Sequence, residues 1–300
     1  IDRGELEGLP RMGAKTIQNI KDSIKFAQGS TRVRIGKALP IAETILATLG
    51  DVPGVTKLEY AGSLRRGKET IGDIDILACA EDPAALSDAF RTMRDVDKIL
   101  VAGETKSSVR IKSGLQVDLR VVDKGAFGAA LMYFSGSKEH NVALRERAIR
   151  AGMRLNEYGL FPNPESDESP QSLGLEPVAS ATEEEIYAAL DLAWVPPTLR
   201  EDRGELTDAP PAVVRLEDIR ADLHAHTVAS DGKLSIHELA EEAKQRGHHT
   251  IAVTDHSKSS VLAGGLDEAR LEKHIEAVRA ADADVKGIKV LAGSEVDILV

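Results

Sequence analysis

The 300-residue chain has a single cysteine, Cys79. A disulfide within the chain is therefore excluded, and a reducing compartment, the cytoplasm, is expected. Cys79 follows an apolar strand pattern and is expected as a small buried hydrophobe, not a nucleophile. No apolar run reaches 18 residues, which excludes a membrane-spanning helix. Internal repeats and low-complexity tracts are missing too. The first residues, Ile1-Asp2-Arg3-Gly4, lack a signal-peptide pattern, and a start without Met predicts a piece of a longer chain. What is there, 42% hydrophobic and 29% charged, is ordinary globular composition with room for two or more domains.

The net charge of -11 argues against a nucleic-acid partner only if it is evenly spread. It is not. Residues 1–72 hold 12 Lys/Arg against 8 Asp/Glu, whereas residues 164–210 hold 2 against 12. The front of the chain is left free to meet an anion.

Pattern and punctuation divide the chain into blocks. Residues 1–30 predict two short helices around a tight turn, and 31–124 alternate helix and strand. Residues 125–195 predict a mostly helical region. Residues 196–219, rich in Pro and charge, predict a linker. From 220 to 300 a β-α-β-α-β rhythm predicts parallel strands, and the chain stops on a strand, as a truncated domain would.

Asp73-Ile74-Asp75-Ile76-Leu77 alternates as a half-buried strand, yet its polar positions are aspartates, which strands disfavour. Residues two apart share a face about 6.5–7 Å along the strand. Asp73 and Asp75 thus point together while Ile74 and Ile76 face the core. Two such carboxylates repel, and a divalent cation resolves the repulsion. "LQVDLRVV" predicts a second strand carrying Asp118. If the strands are neighbours, three carboxylates can hold two Mg²⁺ or Mn²⁺ for phosphoryl transfer. "GSLRRG" adds a glycine-bounded turn whose backbone N–H groups, Ser63 and Arg66 suit a triphosphate.

Gly62-Ser63 followed by Gly72-Asp73-Ile74-Asp75 resembles the nucleotidyltransferase signature. With Arg65-Arg66 between them, the stretch is similar to the family X DNA polymerases. "YFSGSKEHN" and "RLNEYGLF" resemble further segments of that family, so the likeness covers roughly residues 1–195. It implies an α+β nucleotidyltransferase palm (31–124) with helical DNA-binding subdomains at 1–30 and 125–195. It implies Asp73, Asp75 and Asp118 as metal ligands, with Gly62, Ser63, Arg66 and the Gly72 backbone at the triphosphate. Tyr133 and Phe134 would stand against the incoming sugar, Asn141 against the base edge, and Arg145 against the template. Gln116 departs from the family, where Arg is frequent. "EGLPRMGAKTIQNI" resembles a helix-hairpin-helix, with Gly13 and Lys15 toward a DNA phosphate and Arg11-Met12 in place of the usual Gly-Ile.

Seven of the eight histidines follow residue 220. His224 and His226 lie two apart on one strand with Asp231 beyond; His256 closes the next strand and Glu295 sits on a third. Parallel sheets carry their sites at the strand C-terminal ends, and imidazole with carboxylate suits Zn²⁺, Mn²⁺ or Fe. These motifs resemble the PHP (polymerase and histidinol phosphatase) domain, a distorted β/α barrel that hydrolyses phosphoesters. The resemblance implies His224, His226, Asp231, His256 and Glu295 as ligands of Zn²⁺ or Mn²⁺, with further ligands downstream that this chain lacks. His237, His248, His249 and His274 are expected as helix or turn residues.

The expectation is a monomeric, cytoplasmic, nucleoid-associated DNA polymerase. It would take a dNTP and a primer-template or gapped DNA in repair, with attached 3′-5′ exonuclease or phosphatase activity. Two alternatives are a nucleotidyltransferase acting on RNA or a small molecule, and a PHP phosphoesterase whose front half docks DNA.

Overall fold

Asp73–Ala80 (β4), whose burial alternates over its first four residues and is continuous from Ile76 to Cys79, organises the first part of the chain. The computed structural model describes Gly13 and residues 32–164 and 168–298. The expected helix-hairpin-helix, Lys15 included, lies outside the described residues apart from Gly13. The chain divides into two units between Pro211 and Ala212.

In the first unit, Val33–Arg34 (β1) pairs with Thr70–Ile71 (β3) beside a five-stranded sheet. The sheet contains Val55–Tyr60 (β2), β4, Val96–Val101 (β5), Lys106–Ile111 (β6) and Gln116–Val121 (β7), in the order β2-β4-β7-β6-β5. All its neighbours are antiparallel except β4 and β7, which run parallel. Ile74, Ile76, Ala78, Val117 and Leu119 point to one face, where they meet the helices Ile35–Gly50 (α1) and Pro83–Arg91 (α3). The buried residues of α1, Ala38, Ala42, Ile45 and Leu49, recur every three or four positions, as a one-sided helix requires. On the other face Leu77 and Cys79 pack under Phe127–Ser135 (α4). Cys79 is a buried hydrophobe, as the sequence predicts.

Beyond α4 come Lys138–Arg150 (α5), capped by Ser137, and Glu183–Ala189 (α6), capped by Thr182. Residues 125–195 were expected to be mostly helical, but Met153–Asn156 (β8) and Gly159–Pro162 (β9) form an antiparallel hairpin. Its turn is closed by Asn156, whose Oδ1 accepts from the Tyr158 N–H at 2.9 Å.

A second correction concerns the expected linker, 196–219. Its first part is built into the first unit, with Arg200 fully buried. Arg200 donates to both carboxylate oxygens of Glu183, at 2.6 and 2.9 Å. Arg65 does the same from Gly62–Arg65 (α2), at 2.7 and 3.0 Å, and the Trp194 indole N–H adds a bond at 3.2 Å. Proline and charge predict a solvated connection when read along the chain. Here the prolines seat a 3-10 turn, Pro197–Leu199, and the charge is paired across the fold.

In the second unit Ala221–Ala225 (β10), Thr250–Val253 (β11) and Lys289–Ala292 (β12) form a parallel sheet in sequence order. Ile236–Gln245 (α7), opened by a Ser235–Glu238 capping box, and Glu268–Asp284 (α8) form the crossovers. Ala240, Ala243, Ile251, Val253, Val278 and Val290 make the core between sheet and helices.

Burial alone would raise the Glu183 carboxyl, but hydrogen bonds from Arg200 and Arg65 overcome that and hold it near 2. A carboxyl depressed on folding stabilises above its unfolded value, and that contribution is lost as pH falls towards 2. Glu183→Ala is expected to cost about 3–5 kcal/mol, because it strands two guanidinium groups in the interior. Denaturant unfolding at pH 7 checks this, and the difference between wild type and variant should shrink as the pH is lowered below about 4.

Candidate active site

Parallel pairing of β4 with β7 sets Asp75 opposite Asp118, and Asp73 opposite Gln116. Strands so paired lie about 4.8 Å apart, so three carboxylates gather at one patch of the sheet. Ile74, Ile76, Val117 and Leu119, all 2% exposed or less, pack the opposite face. Burial raises the Asp75 carboxyl to about 7, with the charges of Asp73 and Asp118 adding to the rise. Burial and then Asp118 raise Asp73 as well. The Gln116 amide donates to both oxygens of Asp118, at 3.0 and 3.1 Å. It thus supplies a neutral donor at the position where the family resemblance leads one to expect a cation. A crowded acidic set in which Asp73 and Asp75 hold protons more tightly than usual is chemically suited to a divalent cation.

The glycine turn is joined to this patch. Gly62, at φ +61°, lies so close to Asp75 that a Cβ there would stand 2.1 Å from Oδ2. The Ala61 N–H donates to the Asp75 carbonyl at 2.8 Å. Ser63 is half-buried in α2, and Gly72 lies against Arg32, whose guanidinium bonds Thr70. Arg66 donates through Nε to Glu201 at 2.8 Å and through Nη1 to the Ser135 carbonyl at 2.7 Å.

Tyr133 and Phe134 end α4 half-buried, their rings edge to face at 5.1 Å. The Arg120 guanidinium, on the same strand face as Asp118, sits 4.3 Å from the centre of the Phe134 ring. The Asn141 amide donates to the Tyr133 carbonyl at 2.7 Å, tying α5 back to the end of α4. Arg145 stands one turn further along the same face of α5.

The sequence reading missed the polar groups behind these. The eighth histidine, His140, is fully buried just before Asn141. Its Nδ1 donates to Glu205 at 2.6 Å and its Nε2 accepts from the Tyr187 hydroxyl at 2.9 Å. Burial, more than any other influence, lowers its basicity and keeps it neutral. Its place beside Asn141 in "SKEHN" was the available signal; its partners, 47 and 65 residues away, had none.

In the second unit the strand ends converge as expected. The Nε2 atoms of His224 and His226 are 3.1 Å apart, and each lies 2.9 Å from Glu295 Oε2. His226 Nδ1 is 2.7 Å from Asp231 Oδ1, and His256 Nε2 is 3.6 Å from Asp231 Oδ2. Two donor sets result, His224/His226/Glu295 and His226/Asp231/His256, which share His226. The bond from His226 holds the Asp231 carboxyl below its ordinary value, and that from His224 does the same for Glu295. His256 Nδ1 is buried without a hydrogen-bond partner. An orphaned ring nitrogen facing carboxylates fits a metal ligand.

A buried carboxylate supports this cluster too. Asp255, fully buried, accepts from the Thr227 N–H at 2.9 Å, the Thr227 hydroxyl at 2.8 Å and the Ser230 hydroxyl at 2.6 Å. His274 Nε2, on α8, donates at 2.7 Å. Of the four histidines expected in helices or turns, His274 is therefore also tied to the site's support. Gly232 lets the loop close, since a Cβ there would stand 2.2 Å from the His226 carbonyl oxygen.

Comparison with known proteins agrees with both halves. Residues 130–201 match the DNA polymerase beta thumb model and residues 222–299 the PHP domain model. The DNA polymerase/3′-5′ exonuclease PolX of Bacillus subtilis is 32% identical over 303 residues, covering 99% of this chain and 52% of its own length. DNA polymerase lambda of Rattus norvegicus is 28% identical over 159 residues, 47% of this chain and 28% of its own length. The Repair DNA polymerase X of African swine fever virus is 23% identical over 194 residues, 63% of this chain and 96% of its own length. The chain thus spans about half the length of the Bacillus protein. With a polymerase beta thumb and a PHP domain in that order, and PolX likeness along nearly its whole length, the chain belongs to the family X DNA polymerases that carry a PHP domain.

Proposed function

We propose that the first unit is the template-directed DNA polymerase half of a repair enzyme whose second unit hydrolyses phosphoesters. The observation that carries the reading is the Asp73/Asp75/Asp118 patch joined to the Gly62–Arg66 turn. In this reading the five-stranded sheet is the nucleotidyltransferase palm. Ser63, Arg66 and the backbone of Gly62 and Gly72 hold the triphosphate of a dNTP. Tyr133 and Phe134 face its sugar, Asn141 its base, and Arg145 the template. Gly13 and Lys15 contact the DNA backbone in a sequence-independent way.

The primer 3′-oxygen attacks the α-phosphorus; an O–P bond forms, the α–β bridge breaks and pyrophosphate leaves. Mg²⁺ or Mn²⁺ bound by the three aspartates would activate the attacking oxygen and neutralise the departing charge. Asp75 and Asp118, held by the sheet, fix where positive charge sits. Arg66, already desolvated, offers a charged donor without reorganising at the moment of reaction.

In the second unit His224, His226, Asp231, His256 and Glu295 would bind Zn²⁺ or Mn²⁺ in part of a distorted β/α barrel and support 3′-5′ exonuclease or phosphatase trimming. The orphaned His256 Nδ1 supports that reading. We place the enzyme in the cytoplasm as a monomer on gapped DNA. Among the described residues no helix is long and apolar enough to cross a membrane.

In the whole protein, changing Asp73 and Asp75 together to Ala should lower primer extension on a gapped duplex by roughly 10³-fold or more. Extension that survives in the double variant would sink the polymerase assignment. Gly62→Ala, which drives a methyl into the Asp75 carboxylate, should depress extension at least about tenfold while the fold persists by circular dichroism. His226→Ala should remove hydrolysis of a 3′-end substrate and leave primer extension intact. Hydrolysis equal to wild type would remove the metal-site reading of the second unit.

A further inference from the structure

The segment first read as a linker is paired with Arg66, one of the residues proposed to hold the triphosphate. Arg200 is fixed by Glu183 and donates through Nε to the Val195 carbonyl at 2.9 Å. The next residue, Glu201, is thereby placed against α2: Oε1 accepts from Arg66 Nε at 2.8 Å and from Lys68 Nζ at 3.2 Å. With Nη1 on the Ser135 carbonyl, the Arg66 fork is held at two of its three nitrogens. Among the described residues the third, Nη2, has no partner, and it remains available to an oxygen of a ligand. Arg66 and Glu201 line a cleft of about 390 Å³ that also carries Arg32, Lys68 and Arg203.

Two readings of this pair are physically distinct. A carboxylate can compete with a phosphate for an arginine, or it can hold the arginine in place for the phosphate. The geometry favours the second. Glu201 takes Nε and the Ser135 carbonyl takes Nη1, so the two contacts fix the plane of the guanidinium while Nη2 keeps its hydrogens for a ligand. Its own backbone is anchored on both sides, by Arg200 before it and by Glu205 after it. Glu205 accepts from the Asp202 N–H at 2.7 Å, the Arg203 N–H at 2.6 Å and His140 Nδ1 at 2.6 Å, so the turn cannot swing freely.

We infer that Glu201 is a positioning residue for nucleoside triphosphate binding, orienting the Arg66 guanidinium through Nε while Nη2 stays open to the ligand. This rests on the polymerase reading above. A long, rotamer-rich side chain loses entropy when it binds, and a second carboxylate that already fixes it removes part of that cost. The gain is in binding common to ground and transition states, so it appears in KM and not in kcat.

Single-nucleotide insertion on gapped DNA by the whole protein tests the inference with wild type, Glu201→Ala, Glu201→Gln, Arg66→Ala and the Glu201→Ala/Arg66→Ala double variant. Glu201→Ala should raise the KM for dNTP about tenfold with kcat changed less than about twofold. Glu201→Gln, which keeps an acceptor for Arg66 Nε, should recover most of the loss. In the Arg66→Ala background Glu201→Ala should add nothing, since its effect passes through that arginine. A merely structural role predicts instead that the two effects multiply and that the Gln variant resembles Ala in its unfolding midpoint. An unchanged or lowered KM in Glu201→Ala, or multiplying effects, overturns the inference while leaving the polymerase reading standing. A wild type that inserts no nucleotide overturns both.

Discussion

A single buried carboxylate, Glu183, holds two guanidinium groups and an indole N–H in the first unit, and the helices that carry Gly62, Ser63, Tyr133 and Phe134 are tied together around it. Arg65 reaches it from α2, the helix that contains Gly62 and Ser63 and is capped by Arg66. Arg65 also donates to the Ser135 hydroxyl, at the end of the helix that carries Tyr133 and Phe134. Arg200 reaches it from the segment that supplies Glu201 and Glu205. Separate desolvation of three charges would be prohibitive; the paired geometry, with its bidentate contacts, is what makes the arrangement tolerable.

The second unit repeats the principle with different chemistry. Asp255, fully buried, collects bonds from Thr227, Ser230 and His274. Burial opposes its charge, but the hydrogen bonds from Ser230 and Thr227 overcome that and keep the carboxyl below its ordinary value. It sits directly before His256, and Thr227 directly after His226, so one carboxylate joins two strand ends that both carry metal-type donors. In each unit the groups open to a ligand are oriented by a buried carboxylate one layer behind them.

What could be read from sequence depended on whether the signal was local. Asp73 and Asp75 stood out because they put a residue type that strands disfavour at the polar positions of an alternating strand, and Asp118 because its own strand alternates the same way. The histidine cluster stood out by density. Gln116–Val121 was legible as a strand because its burial alternates strictly along its length. Arg65, Glu183 and Arg200 were not legible. Arg65 and Glu183 are 118 positions apart, and no spacing rule links two residues at that distance. His140, Glu205 and Tyr187 failed for the same reason. The 196–211 stretch misled actively, since proline and charge mean a solvated connection in the absence of partners, and its partners lie elsewhere in the chain. The hairpin at 153–162 was hidden by a region whose other elements are helices.

The crowding of Asp73, Asp75 and Asp118 still needs a physical account, since repelling carboxylates would part if nothing held them. Burial first, and then the charges of Asp73 and Asp118, lift the Asp75 carboxyl from 3.8 to about 7, on the order of 4 kcal/mol against its charged form. Against this stand Ile74, Ile76, Val117 and Leu119 on the opposite face of the same two strands, all essentially buried. At about 1.5–3 kcal/mol per side chain, their burial outweighs that penalty of desolvation and repulsion together. Register makes the coupling strict, because a slip of one residue would send the aspartates into the core and the aliphatic side chains to solvent. The hydrophobic face therefore fixes the carboxylates in a position that they would not choose alone. The strain so retained is electrostatic and local, and a divalent cation is the partner whose binding would relieve it.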